Sequence, residues 1–286
     1  MRQPCFMPRR AGCVGLLLAW GGLLAGPALG QQQQCPQPPP GVPLVTIPDV
    51  QGSNGNNGTP ERSPREGQVV AVEGIVTGDF QTGDNPDGNG DLEGFFLEVP
   101  ERDPISNESN GIFIAEGGDI TQNPVLIDVA IGDEVQVVGT VFERELTNPT
   151  DPTDVPSRTE VRTLTRVQVC SQGNDLPPPE VVGGPDPDLT ITIPFQRIFS
   201  AVESERVAFA EPLFVTETGG LVERGEFVAT IGTAQIFGLE PPGPLVAPTD
   251  LFAPTDPDAA LADQLNTDNV FVIDDGVEVV FPEHVP

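Results

Sequence analysis

The sequence predicts an all-β chain: a small closed barrel followed by a smaller β-rich unit. Three observations carry that expectation. The apolar positions are mostly Val, Ile, Leu and Phe at alternating spacing, the period of a half-buried strand. Thirty-three prolines and 32 glycines demand short elements joined by many turns. Two long segments also share one pattern: Gly67-x-x-Val70-x-Val72-x-Gly74-x-Val76 is matched at every position by Gly132-x-x-Val135-x-Val137-x-Gly139-x-Val141. A glycine in mid-strand marks a bulge or a sharp coil where a sheet bends back on itself. Five or six strands, two with such a kink, suit a barrel better than a flat sandwich. The oligonucleotide/oligosaccharide-binding (OB) barrel has about the right length.

The elements follow in order. Residues 1–30 carry three arginines, an apolar glycine-broken stretch and the small residues Ala28-Leu29-Gly30, the layout of a secretory signal peptide. A membrane anchor, the alternative, needs about 18 or more apolar residues. Residues 31–43 form a Gln- and Pro-rich tether with nothing to pack. Within an OB-like barrel over 44–172, strands are expected at Leu44–Ile47, Gln68–Phe80, Glu93–Val99, Gly111–Ala115, Asp133–Glu143 and Arg158–Cys170. A Pro/Gly linker over 173–193 then leads into a second β-rich unit, 194–286. There, strands are expected at Arg206–Thr216, Glu226–Ile231 and Val270–Ile273, with a short helix at Ala259–Leu265. The end at His284-Val285-Pro286 reads as truncated.

The net charge is −30, and loss of the signal, with its three arginines and no acids, takes it to −33. All 13 basic residues are arginine. Acids in place of lysine keep a surface hydrated in strong salt, so a halophilic or marine source is expected. Such a charge opposes polyanion binding at low ionic strength, where affinity comes from cations displacing counterions, and opposes it much less at high salt. After cleavage, Cys35 and Cys170 are the only cysteines. In an oxidising compartment they are expected to pair, tether to distant strand, with two free thiols as the alternative.

The ordered blocks Ile47–Ser53, Gly67–Gln81, Gly94–Val99, Ser109–Ile114, Val129–Val141, Thr163–Thr165, Val167–Pro179, Ala208–Gly232 and Pro248–Gly276 resemble the N-terminal region of secreted ExeM/NucH-type extracellular nucleases. They also resemble the OB-like domains of the related YhcR-type sugar-nonspecific nucleases. The resemblance implies an exported bacterial protein whose metal-dependent phosphodiesterase domain follows elsewhere. That chemistry needs histidines beside a carboxylate-held metal, whereas His284 is the only histidine here. No catalytic residue is therefore assigned. The expected role is non-catalytic: holding DNA or RNA outside the cell, or positioning the absent nuclease domain. A carbohydrate- or matrix-binding adhesion module of the cell envelope, or a plain spacer, is the alternative. The oligomeric state is not legible.

Two candidate sites stand out. Asp87, Asn89, Asp91 and Glu93, with Asp84 just ahead, place oxygen ligands at every second residue with glycines between. That matches the first half of an EF-hand loop and makes Ca²⁺ the candidate cofactor, against a solvated hairpin tip. In the resembling family the Asp-rich run lies after the FFL strand, where this chain has Pro100–Ser109 without the alternation. Arg158, Arg162 and Arg166 share one strand face, with Val161, Val167 and Val169 on the other. They are candidates to follow a phosphate backbone, with Phe95 and Phe113 as stacking surfaces; salt-bridging to neighbouring acids is the alternative. Glu203, Glu205, Glu211, Glu217, Glu223 and Glu226 read as solvated.

Overall fold

The computed structural model describes residues 35–52, 62–81, 92–101, 108–116, 127–145, 157–183, 201–221, 225–230, 245–268 and 270–274. The chain is all-β in class. Its main sheet comprises β1 (Val69–Phe80), β2 (Gly94–Glu98), β3 (Gly111–Ala115), β4 (Glu134–Glu145) and β5 (Ser157–Ser171). The pairing order is β1-β2-β3-β5-β4, and β4 returns to β1, so the hydrogen bonding closes on itself. Every pair is antiparallel except β3 with β5.

Alternation decides which side chains fill this ring. Val70, Val72, Phe95, Leu97, Ile112, Ile114, Val135, Val137, Val141 and Val161 form one buried cluster. Successive strand residues point to opposite faces, so Phe96, Phe113, Phe142 and Glu160 lie on the outer side. One end is plugged by α1 (Ile47–Gln51), whose Ile47 and Val50 join the core.

That helix corrects the expected strand over Leu44–Ile47. Leu44 makes only an isolated parallel bridge to Ala71. The Thr46 hydroxyl caps the helix by accepting from the Asp49 N–H (3.2 Å), and Pro48 suits the first turn, where its missing N–H is not needed.

Both mid-strand glycines are points of close approach. Gly139 lies opposite an irregularity of the β4–β5 register whose extra residues are on β5, and a Cβ there would lie 2.6 Å from Val161 and 2.8 Å from the Arg162 carbonyl oxygen. The β1–β4 register runs unbroken through Gly74, and the β1–β2 irregularity falls later, between Val76 and Gly78. Gly74 is a point of close approach: a Cβ there would lie 2.9 Å from the Glu98 carbonyl oxygen and 3.2 Å from Ile47.

The expected disulfide is present. Cys35 and Cys170 join across a sequence separation of 135, with Cα atoms 4.9 Å apart. The tether behind it is held by Gln136 Nε2 donating to the Pro36 carbonyl (2.7 Å) and by Ala71 N–H donating to that of Pro43 (2.9 Å).

Beyond the ring, β6 (Glu180–Val182) pairs parallel with β7 (Val207–Phe209). β6 lies inside the segment expected to be a linker. The expected strand Arg206–Thr216 is two strands, β7 and β8 (Phe214–Glu217), with Pro212 between them, which cannot donate to a ladder. β8 pairs with β9 (Phe227–Thr230), and β9 with β10 (Phe271–Ile273). Two helices accompany them, α2 (Pro248–Leu251) and α3 (Pro257–Asp268), the latter over the predicted position. Among the described residues no helix is long and apolar enough to cross a membrane.

Candidate functional site

The outer face of the ring carries one lateral row of large side chains. Cross-strand partners run from Gly78 to Phe96, Phe96 to Phe113, Phe113 to Glu160 and Glu160 to Phe142, spanning all five strands. Phe80 joins the row edge-on, its ring centroid 5.8 Å from that of Phe96, and Phe96 lies 4.9 Å from Phe113. The spacings are those of favourable aromatic pairs.

Glu160 organises the other half of the row. Its carboxylate has no solvent exposure and lies between two guanidinium groups, 3.0 Å from Arg158 and 2.5 Å from Arg162. Each arginine then covers a ring: the Arg158 Cζ stands 4.1 Å over Phe113, and the Arg162 Cζ 4.0 Å over Phe142. Guanidinium planes favour the negative face of such rings. The result is a five-membered stack, Phe113–Arg158–Glu160–Arg162–Phe142. Burial pulls the Arg158 guanidinium below its ordinary value, and the bond to Glu160 opposes that fall. Two cations around one anion leave the cluster formally at +1 in an otherwise acidic chain.

Arg158 and Arg162 are thus brought together, and they do pair with an acid. Arg166 is drawn elsewhere. In the β4–β5 register Arg162 opposes Thr140 and Arg166 opposes Val138, so β5 carries two extra residues between them, with Thr163 at φ 52°. An even insertion keeps both arginines on the same face, but Arg166 bonds the Gln168 side chain and donates to the Gln37 carbonyl (3.2 Å). The expected stacking role of Phe95 is overturned, because Phe95 points into the core. Phe113 faces outward but is fully buried beneath Arg158. The rings with free surface are Phe142, 38% exposed, and the half-buried Phe80 and Phe96. Period-two counting along each strand is the signal in the sequence: Glu160 shares the face of Arg158 and Arg162, and Phe96 and Phe142 alternate with the core residues Phe95, Leu97 and Val141.

Of the acidic loop, Asp84, Asp87, Asn89 and Asp91 lie outside the described residues. Glu93 precedes β2 with φ 47°. Glu98, twelfth counting from Asp87, is committed elsewhere: it ends β2 and accepts from the Arg206 N–H (2.8 Å). Among the described residues no group of three or more His, Cys, Asp or Glu side chains could hold a metal.

Glu203 and Glu205, expected to be solvated, are instead docked on the ring. Glu203 accepts from the Thr159 N–H (2.7 Å) and Glu205 from the Asn110 N–H (2.6 Å). No protein-family model matches the chain, and no curated protein matches it.

Proposed function

We propose that the chain is the non-catalytic part of a secreted nuclease, and that its five-stranded ring is an OB-type barrel holding single-stranded nucleic acid on its outer face. The observation that carries this reading is the pair of guanidinium–phenylalanine stacks flanking Glu160. The strand order, with its single parallel β3–β5 pair, supports it. Bases present a π-face whatever their sequence, so a run of rings and guanidinium planes binds single strands without reading them. In this reading Arg162 and Arg166 meet phosphates, while Phe142, Phe96 and Phe80 meet bases. The acidic loop Asp84–Glu93 is proposed to take Ca²⁺, and calorimetric titration of the full chain should show heat and a raised melting temperature.

An acidic protein with three exposed or half-buried arginines on the face, Arg144, Arg162 and Arg166, should rely on stacking more than on counterion release. For a single strand the salt slope is about −0.7 per neutralised phosphate. Fluorescence anisotropy with a labelled oligo-dT should therefore give a slope no steeper than about −2. Phe142→Ala should weaken binding by about tenfold, since stacking on one ring is worth roughly 1–3 kcal/mol. Retention on polysaccharide but not on oligo-dT, at low and high salt, would transfer the face to the adhesion reading. Retention on neither would leave a spacer.

A further inference from the structure

We propose that residues Ala201–Arg206 form a carboxylate clasp that closes on the β2–β3 and β5 ends of the ring at acid pH and loosens as the pH rises towards neutrality. The geometry is that of a docked segment. Val202 is 4% exposed. A Cβ on Gly111 would run into the Ser204 carbonyl, so the two backbones touch there. Ser204 takes φ 60°, a region that a non-glycine residue enters at a cost, and docking holds it there.

Three carboxylate-to-backbone bonds fasten the segment in both directions. Glu203 accepts from the Thr159 N–H (2.7 Å) and Glu205 from the Asn110 N–H (2.6 Å), while Glu98 of the ring accepts from the Arg206 N–H (2.8 Å). The Ser109 hydroxyl donates to the Glu203 carbonyl (2.5 Å). Behind the clasp, Arg206 Nη1 donates to the Pro177 carbonyl (2.9 Å) and Glu180 N–H to that of Arg206 (2.9 Å). Opening the clasp therefore also loosens the β6–β7 sheet.

Glu203 is the group that titrates. Thr159 holds two acids at once: its N–H serves Glu203, and its hydroxyl donates to Glu143 (2.9 Å), which also accepts from the Ser63 N–H (2.7 Å). The charges facing Glu203 are Glu143 from β4 and Arg158 from β5. Glu98 of β2, with Glu205 and Arg206 of the clasp, makes up the adjoining charged set, and α1 offers only the neutral Gln51. Burial, with Glu143 adding to it, pushes the Glu203 carboxyl up to about 7 against the bonds from Thr159 and Gln51 and the charge of Arg158. Burial also raises Glu98. An acid raised on closing favours the closed state while protonated. Closure is strongest below the ordinary value of 4.5, weakens between 4.5 and about 7, and is constant above that. Between its limits well below 4.5 and well above 7 the closing constant differs by about 300-fold, tenfold for each pKa unit.

Amide hydrogen exchange of the full chain, corrected for intrinsic rate and followed from pH 4.5 to 8.5, tests this without any ligand, so its outcome is separate from that of the nucleic-acid reading. The Thr159, Asn110 and Arg206 amides should lose protection together between pH 4.5 and 7, while the Val141 amide inside the ring does not. Glu203→Gln keeps the acceptor oxygen and removes the charge, so its protection should fall much less over that range, with only the Glu98 contribution left, and exceed the native protein's above pH 7. Should that variant not fold, Glu143→Gln should move the fall to lower pH. Loss at Thr159 alone, or the same fall in both variants as in the native chain, would overturn the clasp.

Discussion

Replacing Cys170 with serine should lower the unfolding free energy by about 4 kcal/mol, the largest single loss expected in this chain. Cys35 and Cys170 close a loop with a sequence separation of 135. Cross-links across long loops stabilise mainly by removing conformations from the unfolded chain, to the extent of about 2–5 kcal/mol. The folded state has its own means of keeping the tether in place. Gln136 Nε2 holds the Pro36 carbonyl and also the Glu73 carboxylate (2.7 Å), Arg166 holds the Gln37 carbonyl, and Val45 N–H donates to Ala71 (2.9 Å). The variant should therefore fold to the same ring and differ chiefly in the unfolded ensemble. Urea denaturation of the native chain, Cys170→Ser and Cys35→Ser tests it. The two variants should match within about 0.5 kcal/mol of each other, since either removes the same link. A loss below about 1 kcal/mol in both would mean that the bond constrains little in the unfolded chain.

The strands whose cores were legible in the sequence are those whose alternation is local. Val70-x-Val72 and Val135-x-Val137 announce β1 and β4 because a half-buried strand needs nothing more than period two. The same count put Arg158, Arg162 and Arg166 on one face, where they are. It failed at Leu44–Ile47, in which Val45, Thr46 and Ile47 are β-branched, because the Thr46 cap and Pro48 favour a turn of helix and the open end of the ring accepts Ile47 and Val50. It failed again for β6, whose partner β7 lies across residues 184–206. In the site, Glu160 gives no sign of burial in the sequence although it sits between the arginines. Outward positions usually meet water; Phe113 and Phe142, brought alongside by β3 and β4, and the two arginines stacked on them turn that position into an interior one. Glu203 and Glu205 looked solvated for a similar reason. Their partners, Thr159, Asn110 and Ser109, lie far back along the chain, and spacing within one segment carries no trace of them.

Truncating Arg158 to alanine should cost about 3 kcal/mol, more than the loss of any other cation on this face. The Glu160 carboxylate has no exposure and would keep only Arg162, whose own side chain is 38% exposed, against 15% for Arg158. Removing one partner of a buried ion pair leaves an uncompensated charge, at roughly 3–5 kcal/mol. Phe113 would lose its cover at the same stroke. Arg162→Ala should cost about 1 kcal/mol, because solvent already screens that guanidinium. The mechanism separates from mere loss of packing in a double substitution. Arg158→Met with Glu160→Leu removes both charges and keeps apolar bulk, and buried pairs replaced in this way are often neutral in stability. Urea denaturation should thus place the double variant within about 1 kcal/mol of the native chain, with a coupling of about 2 kcal/mol or more between the two positions. A double variant no more stable than Arg158→Ala would assign the loss to the Arg158–Phe113 contact instead. In either case a change at Arg158 alters the ring itself. Arg162 and Arg166 are therefore the cations to substitute when nucleic-acid binding is measured, since their loss leaves the buried part of the Glu160 cluster in place.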